Sequence, residues 1–407
     1  ISYIIDCFPK KEGNGIFFCA FNIIKELLNR KYVNIILYCD SKHLASLNKC
    51  QNENIIKNFK IIKSSDINII EKLIGKYELL KNINNESKLK KNIFTLKIFK
   101  TIGLRLNMLK YENFFKDVDI YFSPVGAVPD EIKIVSHIKK WNIIHDVIPL
   151  ILPEYKKGFK KSPFYKLFKT INSSDLYFAN SEYTKKDFIK YFPKISPENI
   201  TVIPLSTGDD YKPIKDLDII NRIKIKYGIP LDKTYIFSLC TLEPRKNLIF
   251  ALKNYIKFIE QNNIKDLIYV LGGKSWDSFE NILKKEIPNI EKYSKNIIKI
   301  GYVKTEDISA LLSNANFFIY PSLYEGFGMP ILEAMKCGCP VICSNVTSMP
   351  EVIGDCGITI DPTCDEELVN AIEKMYFNNE FRNECAKRGL ERSKFFTWKK
   401  CVDIILD

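Results

Sequence analysis

Short runs of apolar and β-branched residues alternate with helical periodicities along most of the chain. In the first half, strand-like runs fall at 1–6, 33–39, 59–63, 118–122, 142–146, 176–179 and 200–203. After the first of these, Ala20, Ile23, Ile24, Leu27 and Leu28 recur at the spacing of one helix face, which predicts a helix over 16–30. The second half repeats the theme, with strands at 235–239, 267–271, 297–300, 317–320, 341–343 and 357–360. They alternate with helices that include 248–261, 306–313 and 366–378. Strands alternating with helices imply parallel sheets covered on both faces. Between the halves, PLSTGDDYKPI at 204–214 gathers Pro, Gly, Ser, Thr and Asp and reads as a linker. The expectation is an α/β protein of two Rossmann-like domains facing each other across a cleft. In such sheets ligands bind outside the carboxyl ends of the strands.

Composition fits this picture. At 407 residues the chain is too long for one ordinary core. Its 46% hydrophobic and 27% charged residues are those of a soluble globular protein. No run approaches the ~18 apolar residues of a membrane span. No signal-peptide pattern opens the chain. It begins inside a strand pattern without an initiator Met, as a piece of a longer protein would. The twelve cysteines scatter through apolar segments, as at Cys39, Cys240 and Cys343, with no Cys-x-x-Cys pair and only three histidines in the chain. They read as buried reduced thiols of a cytoplasmic protein, not as disulfides or as a metal site at Cys337 and Cys339.

The net charge of +13 is unevenly spread. Segments 87–116 and 153–169 carry many Lys between large apolar and aromatic residues. They read either as amphipathic helices with solvated Lys faces, or as a basic face that meets anionic lipid or a phosphorylated acceptor. No nucleic-acid motif accompanies the charge.

The densest chemistry lies in FFIYPSLYEGFGMPILEAM, 317–335. A buried strand runs into a loop with Glu325, Gly326, Phe327 and Gly328, and a helix then starts near Met329 and Pro330 and carries Glu333. The glycines allow close backbone approach, and the helix start favours phosphate. Two carboxylates with seven residues between them, around an anion site, suit the diols that flank phosphates. The plain alternative is a helix-capping Glu and a solvated Glu. In TLEPRKNL, 241–248, Arg245 and Lys246 sit between a strand and a helix, placed to neutralise a diphosphate, or else form a surface charge pair. Asn247 is placed as the helix N-cap. His145 follows an apolar strand with Asp146 beside it, and is either a ligand contact or a buried or capping His. Gly13, Asn14 and Gly15 precede the first helix, and Gly301, Tyr302 and Val303 end another strand, where backbone could read a nucleobase edge.

Taken together, TLEPRKN, LGGKSW, GYV and YPSLYEGFGMPILEAMKCGCPVICSNVTSMPEVIGDCG resemble the carboxyl-terminal half of GT-B-fold retaining glycosyltransferases, family 4. HDVIPLILPEY, ANSEYTKKDF and ITVIPLSTG resemble the amino-terminal half, and FFTWKKCVDIIL the final helix that crosses back. The resemblance spans nearly the whole chain and is weakest between about residues 44 and 115. It implies an acceptor-binding domain at 1–207, a donor-binding domain at 208–390 and a returning helix at 391–407. It implies that Arg245 and Lys246 hold the donor diphosphate, and that Glu333 binds the ribose diol. Glu325, with the backbone at Phe327, Gly328 and Met329, holds the donor sugar and its phosphate. His145 lies against the sugar, and Gly13, Asn14 and Gly15 line the diphosphate or acceptor side. Many relatives carry Arg where this chain has Thr241, and Arg245 stands in for that charge. The Glu-Pro-Arg-Lys-Asn variant is similar to a subgroup rich in mannosyltransferases.

The implied activity is transfer of a hexose with retention, without metal or cofactor. The expected donor is GDP-mannose, with UDP-sugars as the alternative, and the acceptor a bacterial polysaccharide or lipid-linked oligosaccharide. The place is the cytoplasm, with contact to the inner face of the membrane through the basic segments. An epimerase or phosphorylase of the same fold, and a non-catalytic nucleotide-sugar-binding domain of a larger polymerase, are the competing readings.

Overall fold

The computed structural model describes residues 2–6, 15–30, 34–39, 60–63, 108–125, 127–152, 163–274 and 279–407. Two parallel sheets organise them. The first has strand order β3-β2-β1-β4-β5-β6-β7: β1 Ser2–Asp6, β2 Asn34–Cys39, β3 Lys60–Lys63, β4 Ile120–Ser123, β5 Lys139–Ile144, β6 Leu176–Ala179 and β7 Ile200–Val202. The second has order β10-β9-β8-β11-β12-β13: β8 Thr234–Leu239, β9 Leu267–Gly272, β10 Ile297–Gly301, β11 Phe317–Tyr320, β12 Val341–Ser344 and β13 Ile358–Ile360. Both orders reverse direction once, between β1 and β4 and between β8 and β11. At such a reversal the connections leave to opposite sides and a crevice opens at the carboxyl ends of the strands.

The strands form where buried apolar residues run without interruption. All of Phe317, Phe318, Ile319 and Tyr320 are buried, as are all six residues of β9, because helices cover both faces of each sheet. The helix Leu248–Gln261 packs Leu248, Ala251, Leu252, Tyr255 and Phe258 against one face of the second sheet. The helix Met329–Lys336 packs Ile331, Leu332 and Met335 on the other. The final helix, Trp398–Leu406, leaves the second sheet. It buries Cys401, Val402 and Ile405 against Ile23, Ile24 and Leu27 of the first helix, Gly15–Leu28. Arg30 Nη2 meets Asp403 Oδ1 at 2.6 Å beside this contact.

Two expectations need correction. The run placed at 142–146 forms its strand three residues earlier, over Lys139–Ile144, so His145 and Asp146 lie in the loop beyond it. Lys139 pairs with Ile120 at the entry of the strand, where an exposed Lys side chain is tolerated. Asn247 does not cap the helix Leu248–Gln261 through its side chain. It takes a left-handed φ of 55° to turn out of the 3₁₀ turn Pro244–Lys246, and its amide donates to the Pro362 carbonyl at 2.8 Å. Of the basic segments, residues 108–116, with the helix Met108–Phe114, and the helix Pro163–Lys169 are described; 87–107 and 153–162 lie outside the described residues, as do Gly13, Asn14 and the Ser275-Trp276 pair of LGGKSW.

Candidate active site

The reversal between β8 and β11 brings two loops together. One, after β8, carries Glu243, Arg245 and Lys246; the other, after β11, carries Ser322, Tyr324, Glu325 and Gly326. Their centre is the Glu325 carboxylate. Its Oε1 receives Lys246 Nζ at 2.5 Å, Ser322 Oγ at 2.6 Å and the Tyr320 hydroxyl at 2.8 Å, with Arg245 Nη1 at 2.9 Å. Among the described residues no hydrogen bond falls on Oε2. Tyr320 also accepts from Lys246 at 2.6 Å, and the ammonium lies 5.1 Å from the centroid of its ring. Arg245 Nη2 reaches Glu243 Oε1 at 2.5 Å. Burial on its own would raise the Glu325 carboxyl. Lys246 and Arg245 outweigh it and hold the group at about 2. Glu325 is therefore ionised at neutral pH, and the cluster sets the Arg245 and Lys246 side chains beside those of Glu325 and Glu243.

The glycine loop meets the first domain here. A Cβ on Gly326 would lie 2.0 Å from the His145 carbonyl oxygen, so only glycine fits. The His145 ring is buried and its Nε2 is 2.7 Å from the Pro124 carbonyl. A carbonyl only accepts, so Nε2 carries the hydrogen. Burial pulls the ring down to about 4, against the opposing pull of that carbonyl, and it is neutral at physiological pH. Asp146 is also brought close, with Arg245, Glu325 and Lys246 all acting on it electrostatically. Burial pushes it up to about 6, although Ile148 N–H donates to its Oδ1 at 3.0 Å.

Gly328 adopts φ 96° and opens the helix Met329–Lys336, with Pro330 in its first turn. Phe327 and Met329 turn their side chains into the core, Phe327 edge-on to Phe396. One turn along, Glu333 lies apart from the cation cluster. It faces the Tyr211 hydroxyl, Lys336 and Cys19 of the first helix. Burial raises it to about 7, against the opposing influence of Tyr211 and Lys336. Gly15 begins that first helix.

The rest of the expected set is placed as follows. Thr241 is exposed next to the cation loop. Gly301 has φ 68° and its carbonyl accepts from Gly273 N–H at 2.7 Å. Tyr302 is exposed, whereas Val303 is buried beneath Gly272. So the fold joins Arg245, Lys246 and Glu325 directly and His145 through Gly326, and it sets Glu333 and the Gly301 turn to either side. Sequence reasoning missed Tyr320, Ser322 and Glu243 as partners of the cluster. The signal for Tyr320 was present, since a Tyr ending a buried strand needs a partner for its hydroxyl.

Comparisons with known proteins identify the family and the fold. Residues 219–392 match the family model "Glycosyl transferases group 1". O-antigen chain mannosyltransferase B of Escherichia coli is 30% identical over 294 residues, 71% of this chain and 73% of that protein. Serotype-specific mannosyltransferase WbdA of Escherichia coli is 30% identical over 275 residues, 65% of this chain but only 32% of the longer relative. Among solved structures, Anabaena Alr3699/HepE in complex with UDP and glucose superposes with a TM-score of 0.66 at 16% identity, covering 99% of this chain and 98% of that one. WaaG, a glycosyltransferase involved in lipopolysaccharide biosynthesis, gives 0.62 at 14% identity, covering 98% and 97%. Two parallel-sheet domains of this topology, with a buried cation cluster at the crevice of the second, thus belong to a member of glycosyl transferases group 1, a glycosyltransferase of the GT-B fold.

Proposed function

We propose that this glycosyltransferase moves a mannose from GDP-mannose to a hydroxyl of a bacterial polysaccharide or lipid-linked oligosaccharide, with retention at the anomeric carbon and without a metal. The observation that carries the reading is the buried cluster of Arg245, Lys246 and Glu325 at the crevice of the second sheet. The mannose rests on the names of two sequence relatives, each a mannosyltransferase.

In this reading residues 208–390 bind the donor and 1–207 the acceptor, with 391–407 returning to the first domain. Lys246 has three N–H donors, and among the described residues two are taken, by Glu325 and Tyr320. The third is left for a phosphate oxygen. With Arg245 and the helix start at Met329, it stabilises the charge of the departing diphosphate. The backbone at Phe327 and Gly328 carries the same phosphate. Glu325 presents Oε2 to a sugar hydroxyl while its Oε1 stays fixed by Lys246, Tyr320 and Ser322. Glu333 accepts from the ribose diol, Gly301 and Tyr302 border the base beside Val303 and Thr241, and Gly13, Asn14 and Gly15 line the diphosphate or acceptor side. Neutral His145 lies against the sugar. As the anomeric bond to the phosphate oxygen breaks, the acceptor oxygen bonds on the same face. Its proton passes to the departing phosphate oxygen, so no protein nucleophile is consumed.

Thermal unfolding with GDP, UDP, ADP and their common sugar conjugates tests the donor, because a ligand that binds only the folded state raises the midpoint. A shift with GDP and GDP-mannose, followed by mannose transfer with retained configuration, is expected. A shift with UDP alone would replace the donor by a UDP-sugar, as in the UDP-glucose complex of HepE. No shift with any of them would leave a non-catalytic role within a longer protein. Basic residues flanking the helices Met108–Phe114 and Pro163–Lys169 suit the cytoplasmic face of an anionic membrane, testable by vesicle sedimentation.

A further inference from the structure

The loop that carries Glu325 is held from both domains. On its own side, Ser348 Oγ donates to the Glu325 carbonyl at 2.9 Å and the Glu325 N–H reaches Thr347 Oγ1 at 3.2 Å. From the first domain, Ser181 Oγ and Thr184 Oγ1 both donate to the Gly326 carbonyl, at 2.7 and 3.1 Å. Ser181 is the N-cap of the helix Glu182–Tyr191 and accepts from Thr184 N–H at the same time. The first two N–H groups of that helix, at Glu182 and Tyr183, have no partner within their own helix turn. They donate to the two carboxylate oxygens of Glu351, at 2.8 Å each. Glu351 belongs to the second domain, in the helix Met349–Ile353 directly after the Thr347 and Ser348 that hold Glu325. Tyr324 completes the crossing by donating to Asp187 Oδ2 at 2.5 Å.

These contacts have one design. A carboxylate from the donor side completes the first turn of a helix on the other side, where the helix dipole favours negative charge. The same first turn supplies the hydroxyls that fix the peptide next to Glu325. We propose that Glu351, Ser181 and Thr184 form an interdomain latch whose closure positions the Glu325 loop, so that these three are positioning residues for transfer. The inference rests on the glycosyltransferase reading of Glu325. Glu351 acts through the helix Glu182–Tyr191, and Ser181 and Thr184 act through the Gly326 carbonyl. Nucleotide bound to the second domain alone does not need the latch. Sugar transfer does, because it needs Glu325 and His145 in register across the crevice.

The test uses Glu351→Gln and the double variant Ser181→Ala with Thr184→Val, each in the full chain. Gln keeps one acceptor and turns an NH₂ toward the second helix N–H, so the socket is half lost and its charge is gone. Small-angle scattering reads domain separation without reference to activity. The expected result is a larger radius of gyration for both variants, with a nucleotide-induced thermal shift like that of the wild type. Turnover should fall by roughly tenfold or more, as loss of charge-assisted hydrogen bonds implies, while KM for the donor changes by less. A Glu351→Gln protein with wild-type scattering and wild-type kcat overturns the latch. If the wild type transfers no sugar, the functional reading fails, but the scattering arm still decides the latch.

Discussion

Lys246→Ala probes the centre of the site most directly. It removes the ammonium 2.5 Å from Glu325 and leaves that buried carboxylate beside Arg245. In the native chain Glu325 titrates at about 2 against an ordinary 4.5. The difference corresponds to roughly 3 kcal/mol of stability, the net of burial, which raises the group, and of Lys246 and Arg245, which lower it, Lys246 the more strongly. Because the folded value is depressed, this stabilisation is fully present above about pH 4.5 and is lost as pH falls toward 2. Lys246→Ala should therefore unfold at a lower temperature than wild type at pH 7, and the gap should narrow below pH 4.5. Turnover should fall on the order of 10²–10³-fold, the usual cost of removing one preorganised electrostatic contact to a leaving group. Thermal scans across pH, paired with single-turnover measurement of sugar transfer, read both effects. A folded Lys246→Ala protein with normal turnover would refute the diphosphate role, and a stability gap independent of pH would refute the ion-pair account.

Four further outcomes follow from three other positions. Glu333 has its folded value raised to about 7, so its favourable protonated state contributes fully below about pH 4.5 and is lost as pH rises through 7; Glu333→Gln should flatten that part of the stability profile of the nucleotide-free protein. The same variant should remove the strengthening of nucleotide binding between pH 6 and 8 that titration calorimetry should find in the wild type, since in the proposed site the ionised carboxylate accepts from both hydroxyls of the diol. Gly326→Ala places a Cβ 2.0 Å from the His145 carbonyl and should abolish transfer while retaining most of the secondary structure by circular dichroism. Ile405→Ala empties a fully packed site against the first helix and should cost about 2–5 kcal/mol in denaturant unfolding; a loss under 0.5 kcal/mol would mean that the returning helix is not docked.

Much of this protein was decided locally. The buried strands Phe317–Tyr320 and Leu267–Gly272 are unbroken apolar runs, and the helix Leu248–Gln261 keeps its apolar stripe in register, so strand, helix and their alternation were legible residue by residue. The position of Arg245 and Lys246 after one strand and of Glu325 after another was legible for the same reason. Where a strand begins was less so. Lys139 and Lys140 enter β5 because a neighbouring strand pairs with their backbone, a cause that side-chain polarity hides.

What only the tertiary structure decided is which distant groups share an atom. Strand order set β8 beside β11, and this alone put Lys246 and Glu325, 79 residues apart, on one oxygen. Glu351 and the helix at Glu182, 169 residues apart, meet because two domains face each other, and neither stretch carries a mark of its partner. Local periodicity reports which face of an element is buried. It holds no record of what buries it, and the charges of Glu325 and Glu333 were set by those neighbours: two cations for one, and burial against the first helix for the other.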